Sequence, residues 1–362
     1  MSRALHRWLP AYLLRPRFRA SGSVNSPLDV FIAVCDHFEP FHDTDKAGAM
    51  KAMADWRLRW PRVVQAFRDS SGRGPRHTFF YPIEQYDADV IGLLAEICRA
   101  TGSEVEVHLH HEGDTAASLE KRLREGVEAL AGHGLLSRSH TGEPIYGFIH
   151  GNWALDHSHP EGKHCGVADE LAVLRRTGCY ADFTLPSAPD PTQTRKINGI
   201  YYAKEDGLAK SHERGVDVAV GSTSALVDSA DHLLLVQGPL GLNWRWRKRG
   251  VFPRIENGDL TRANPPTMNR FQLWTHLCPR VDGGPPWVFV KLHTHGGISR
   301  NYDMLLGEAA LIFHRDLAAA AGGNIRYHYV TAREMVNLIH AAESGVTDGP
   351  AEQLNFRYPA PV

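Results

Sequence analysis

Short apolar runs alternate with amphipathic stretches from residue 28 almost to the end of the chain. LDVFIAVC (28–35) reads as a buried strand, dense in β-branched and aromatic side chains. From about Lys46 to Asp69 apolar positions recur at helical spacing, and Pro61 is expected to kink or break that helix. Trp56 and Trp60, four apart, form a core-facing stripe on it. HTFFYP (77–82) predicts a strand and 88–100 a helix stopping at Gly102, while EVEVHLHH (104–111) alternates with a strand's period of two. A helix follows from Thr115 to Leu130, then strands at 146–150 and 178–184 with a helix near 167–176 between them. Residues 190–260 are rich in turn residues, with hairpin-like runs at 197–204 and 232–239. An apolar strand (287–295), a helix through 303–321, a strand (325–330) and a helix from Thr331 complete the pattern. Repeated strand–helix alternation predicts an α/β fold whose parallel sheet is joined by helical crossovers, open or closed into a barrel.

At 362 residues the chain is long enough for two domains, but α/β barrels of this size are common as one. No Gly/Ser linker divides it. The preferred partition is a basic N-terminal arm (1–27), one catalytic domain (28–345) with a β-rich insertion at about 190–260, and an extended tail (346–362). Hydrophobic residues are 43% and charged residues 22%, which excludes a disordered chain. A net charge of −1 argues against a nucleic-acid partner. Five cysteines without C-x-x-C spacing argue against a disulfide framework or a zinc knuckle and for a reducing compartment. No apolar run reaches the roughly 18 residues of a transmembrane segment. The first 23 residues hold five arginines and no acid, with Pro10 breaking their apolar part. This arm lacks the apolar region of an export signal and is a candidate for peripheral contact with an anionic membrane. A cytoplasmic protein, at most peripheral at the inner face of the membrane, is the expectation.

Histidine, at 21, is the unusual count, and it serves metal binding and proton transfer above all. Chemistry-bearing residues collect where the expected strands end: Asp36, His37 and Glu39; His108, His110 and His111 with Glu112; His150 and Asn152; Asp182; His293 and His295. In parallel α/β folds this is the ligand-binding face. Residues two apart on a strand share a face, so His108 and His110 can address one ion, as can His293 and His295. A divalent metal, with zinc favoured, is the implied cofactor. Asp36 is the candidate general base beside it.

The order of these motifs resembles that of the NodB-like polysaccharide deacetylases, metal-dependent enzymes with an irregular (β/α) barrel. AVCDHFEP is similar to their first motif, with Asp36 in the base position and His37 where a metal-binding carboxylate usually stands. EVEVHLHHEGDT is similar to the second and implies His108 as a ligand, although Glu112 occupies the position of the usual second histidine. That departure leaves the third ligand open among His110, His111 and Glu112, with His110 preferred. VFVKLH is similar to the last motif and implies His293 as general acid. FIHGNWAL and GCYADFTLPSAP stand where wall and cleft motifs occur, implying His150, Asn152 and Asp182 on the substrate. The resemblance implies metal-assisted deacetylation of an N-acetylated sugar of a surface polysaccharide or its precursor. More narrowly, these strings resemble an uncharacterised branch associated with bacterial polysaccharide biosynthesis.

GLNWRWRKRGVFPR (241–254) interleaves Trp244 and Trp246 with cations. Tryptophan faces suit sugars and guanidinium groups suit phosphate, so this loop is a candidate contact for a lipid-linked saccharide. No G-x-G-x-x-G, Walker loop or G-x-S-x-G elbow is present, which argues against nucleotide and serine-hydrolase chemistry. Two other functions compete: an amidohydrolase-like hydrolase with one or two metals, suggested by the paired H-x-H motifs, and a catalytically silent glycan-binding barrel, suggested by the altered motifs.

Overall fold

The structure is a computed structural model, and it describes residues 4–14 and 27–361. Its elements in chain order are α1 (Leu5–Leu14), β1 (Leu28–His37), α2 (Lys46–Ala66), β2 (Thr78–Pro82), α3 (Ala88–Thr101), β3 (Glu104–Leu109) and α4 (Ala116–Ala131). Then come β4 (Ser137–Arg138), β5 (Pro144–His150), α5 (Glu170–Arg176), β6 (Cys179–Asp182), β7 (Ile200–Lys204), β8 (Val216–Asp217) and β9 (His232–Val236). The last are β10 (Gly241–Lys248), β11 (Phe252–Glu256), α6 (Met268–Leu277), β12 (Trp287–Thr294), α7 (Ser299–Leu305), α8 (Glu308–Ala320), β13 (Ile325–Tyr329) and α9 (Ala332–Glu343).

The central sheet runs β12-β1-β2-β3-β5-β6-β9-β7-β8, parallel from β12 through β9. β13 lies parallel to the first half of β1. This is the mixed α/β fold the pattern predicts. The sheet does not close: no ladder among the described residues joins its two ends. They meet through other contacts, Lys291 Nζ donating to the Leu185 carbonyl (3.2 Å) and Gly238 abutting the Lys291 carbonyl.

Strand parity sorts side chains onto two faces. Val30 and Ile32 of β1, with Val105, Val107 and Leu109 of β3, pack against the crossover helices α2 to α5. Phe31, Ala33 and Cys35 point the other way and pack with Met335, Val336 and Ile339 of α9. On β3 the α9 face carries Glu104, Glu106 and His108, all buried. The alternation of EVEVHLHH therefore has its polar half turned inward, where each group has a partner. Glu104 accepts from Arg333 and Glu106 from Tyr180 and the Gly147 amide.

Local signals hold most helices where the sequence puts them. Asp87 caps α3 through the Asp89 and Val90 amides, and Gly102 ends it at φ 65. Thr115/Ser118 and Thr331/Glu334 form capping boxes on α4 and α9. Three expectations are corrected. α2 runs through Pro61, because the stripe of Trp56, Trp60 and Val63 stays buried. α1 likewise runs through Pro10, with Trp8 packed against Leu240; Arg3, Arg15, Arg17 and Arg19 of the basic arm lie outside the described residues. The helix expected at 303–321 is two helices, divided before Gly307. Within 190–260, β9 is a parallel member of the main sheet and β7 extends it antiparallel. The tail is fixed against α9: Arg333 and Asn337 both donate to the carbonyls of Leu354 and Tyr358. No described helix is long and apolar enough to cross a membrane.

Burial pushes His314 on α8, which meets the Tyr329 hydroxyl at 2.7 Å, down to about 4. The folded state therefore binds fewer protons than the unfolded state between about pH 4 and 6.5. Stability is expected to fall as pH drops through that window, by on the order of 1 kcal/mol per pH unit from this residue. His314→Phe should flatten that slope in urea denaturation series from pH 7 to 4; an unchanged slope refutes the assignment.

Candidate metal centre

β1, β3 and β12 are parallel neighbours or near neighbours in the sheet, and each brings a histidine to its C-terminal end on the α9 face. His37 lies with ring centroids 5.1 Å from His108, 6.0 Å from His293 and 4.8 Å from His295. His37, Glu39 and His108 are buried and offer ligand atoms within 4.8 Å of one another. His108 Nδ1 donates to the Ile149 carbonyl at 2.8 Å, which orients the ring and sets Nε2 3.3 Å from Glu39 Oε1. His37 Nε2 is buried and has no hydrogen-bond partner. Burial, with the neighbouring histidines behind it, pushes His37 well below the usual histidine range, so it is neutral, the form that ligates metals. Burial alone would raise Glu39, but the hydrogen bond and charge of His108 bring it down to about 2. Two imidazoles and one carboxylate make a donor set suited to zinc.

His110 stands at the edge of this group. Its Nε2 is 3.5 Å from Glu39 Oε1, and Nδ1 meets Glu84 Oε1 at 2.7 Å. Burial would lower its pKa, but Glu84 outweighs that and the net shift is upward. Of the three residues left open as third ligand, His110 alone approaches. His111 turns to the opposite face of the sheet, as strand parity requires, and Glu112 is exposed near His164. Glu39 was present in DHFEP but carried no role in the sequence reading; its position two residues beyond His37 was the available signal.

Parity also separates Asp36 from His37. Asp36 faces the crossover side, fully buried, where Oδ1 accepts from the Gly296 amide (2.6 Å) and Oδ2 meets His77 Nε2 (2.8 Å). Trp56 packs on His77 and donates to the Gly296 carbonyl at 2.9 Å. Acting as general base would require Asp36 to give up one of these contacts.

A cavity of about 1080 Å³ is bounded among others by His42, Trp153, Asp259 and Arg300, and by His293 and His295, which stand between it and His37. His293 is buried with Nδ1 unpartnered, and burial holds it well below the usual histidine range. Of the residues expected on substrate, Asn152 is exposed next to Trp153, which does line the cavity. The others sit elsewhere. His150 is buried beside Glu170 on the crossover face. Asp182 is buried on Thr184, and burial raises it to about 6. Trp244 is exposed on the β10–β11 hairpin, and the Trp246 ring is covered by Arg254 at 4.0 Å.

No protein-family model matches this sequence, and no curated protein does. Among solved structures, an alpha-mannosidase from Enterococcus faecalis V583 aligns with 86% of this chain at 7% identity and a TM-score of 0.38. The chain spans 29% of that protein's length. A likeness this loose carries neither family nor activity.

Proposed function

We propose that the chain is a metal-dependent hydrolase that deacetylates an N-acetylated sugar. The observation that carries this reading is the buried group of His37, its Nε2 unpartnered, with Glu39 and the oriented His108, next to the His293 and His295 that line a cavity large enough for saccharide units. A divalent cation held by His37, Glu39 and His108, with His110 adjacent, supplies a Lewis acid at that point. The rest falls to the protein's own groups. In the hydrolysis the acetamide C–N bond breaks, the acyl carbon gains the oxygen of water, and the sugar amine gains a proton. His293 lines the cavity with a free ring nitrogen and, neutral at rest because burial holds it down, delivers a proton to the departing amine after receiving the one that His295 takes from water. His295, beside it, is the group placed to take the proton from water, with Asp36 holding the Gly296 turn that positions it. A lipid-linked form of the substrate at the inner membrane face is supported by Trp244 and Phe252, exposed beside Arg245, Arg247 and Lys248.

The test is acetate release from N-acetylated oligosaccharides by purified protein loaded with zinc, cobalt, nickel or magnesium. Release that requires a metal and is lost in His293→Gln is the expected result. Saccharide binding without acetate release under any metal would replace this reading with the silent glycan-binding one.

A further inference from the structure

A second cluster of ligand-type residues lies on the crossover face, and the proposed reaction does not use it. His111 follows β3, His150 ends β5, Cys165 sits in the loop before α5, and Glu170 opens α5. All four are buried, and their ligand atoms lie within 4.8 Å of one another. His111 Nε2 is 3.1 Å and His150 Nε2 3.5 Å from Glu170 Oε1, while Cys165 Sγ is 3.5 Å from Glu170 Oε2. His150 Nδ1 is engaged with the Gly151 carbonyl, and its Nε2, fully buried, points into the cluster with no hydrogen-bond partner. Outside the cluster, His111 Nδ1 has Asp114 Oδ2 at 3.2 Å and Glu170 Oε2 accepts from the Asp156 amide. Such outer contacts orient imidazole and carboxylate ligands around a metal.

We propose that His111, His150, Cys165 and Glu170 form a closed, four-ligand structural zinc site, separate from the centre at His37. Charge supports it. Glu170 is buried with no lysine or arginine paired to it among the described residues, so a cation is what the carboxylate and thiol lack. Closure supports a structural rather than catalytic role, because four protein donors leave no position for water. The chain between the ligands supports it too. Asn152, Trp153, Asp156, His157 and His164 all hold positive φ, a conformation non-glycine residues keep only where surrounding contacts enforce it. The site ties both ends of that segment, His150 and Cys165, to α5 and so fixes Trp153 in the cavity wall.

The test uses the full chain. Purified protein should retain zinc after dialysis against a weak chelator, and a strong chelator should lower its melting temperature. Cobalt-substituted protein should show a thiolate-to-cobalt charge-transfer band in the near ultraviolet, since Cys165 is the cluster's one sulfur. The band should persist in His37→Ala, which empties only the other centre, and vanish in Cys165→Ser. If Cys165→Ser does not fold, the band's presence in wild type and in His37→Ala decides alone. Cobalt protein without a sulfur band, a band that survives Cys165→Ser, or a band lost in His37→Ala would overturn the proposal. None of these readouts depends on acetate release, so this site stands or falls apart from the deacetylase reading.

Discussion

His108→Ala is expected to lose the metal bound at the centre and to lower turnover on the order of 10³-fold or more. Lewis-acid stabilisation is worth several kcal/mol, and each 1.36 kcal/mol is a factor of ten in rate. His37→Ala should behave alike, because its buried ring offers a ligand atom beside those of Glu39 and His108. Metal content and acetate release, measured on one preparation, check both. The fold should survive, since each ring sits at the end of its strand and not in the middle of a core. His108→Ala protein that keeps both metal and turnover would remove this centre from the reaction.

Arg333→Met is expected to cost about 3–5 kcal/mol of stability, the range for breaking a buried ion pair from one side. Arg333, fully buried on α9, donates to Glu104 through Nε and Nη2, the shortest contact being 2.6 Å. Its Nη1 holds Leu354, Asn355 and Tyr358 of the tail. Removing it strands the Glu104 carboxylate in the interior and frees the tail from α9. The double variant with Glu104→Gln should recover part of the loss, because the stranded charge is then gone. Urea denaturation of the two single variants and the double one measures this. A loss below about 0.5 kcal/mol, the range of an ordinary surface substitution, would show that the pair is not sealed from water.

Strand positions were legible because apolar density and period two survive in the sequence: 28–35, 77–82, 104–111 and 287–295 all become strands of the parallel sheet or reach into it. Pro61 misled because a missing backbone hydrogen bond is a local cost, whereas the burial of Trp56 and Trp60 that outweighs it is a tertiary one. The histidines that gather were legible as strand endings. What the motif reading lacked was parity applied to neighbours. Asp36 and His37, like His110 and His111, are adjacent in sequence and so point to opposite faces, which split two pairs between two environments. Glu170 and Cys165 could not be read at all, since they come from a loop and a helix start whose approach to His111 and His150 only the packing of α5 decides. The open sheet was equally hidden: whether β9 and β12 pair depends on the seam around Gly238 and Lys291, not on either strand's own sequence.

The arrangement around β1 has a consequence for biosynthesis. Its flanking strands β12 and β13 are translated roughly 250 residues and more after it, at a rate of about 5–20 residues per second. The nascent chain therefore carries LDVFIAVC with only β2 beside its end, and without β12 and β13 along its length, for on the order of ten seconds or longer while the ribosome works through the intervening chain. Contacts this distant in sequence make for slow folding. A chain whose earliest strand is completed near the end of synthesis depends on chaperone shelter during that interval, and its yield in a heterologous host should respond to chaperone supply more than to codon choice at the start of the message.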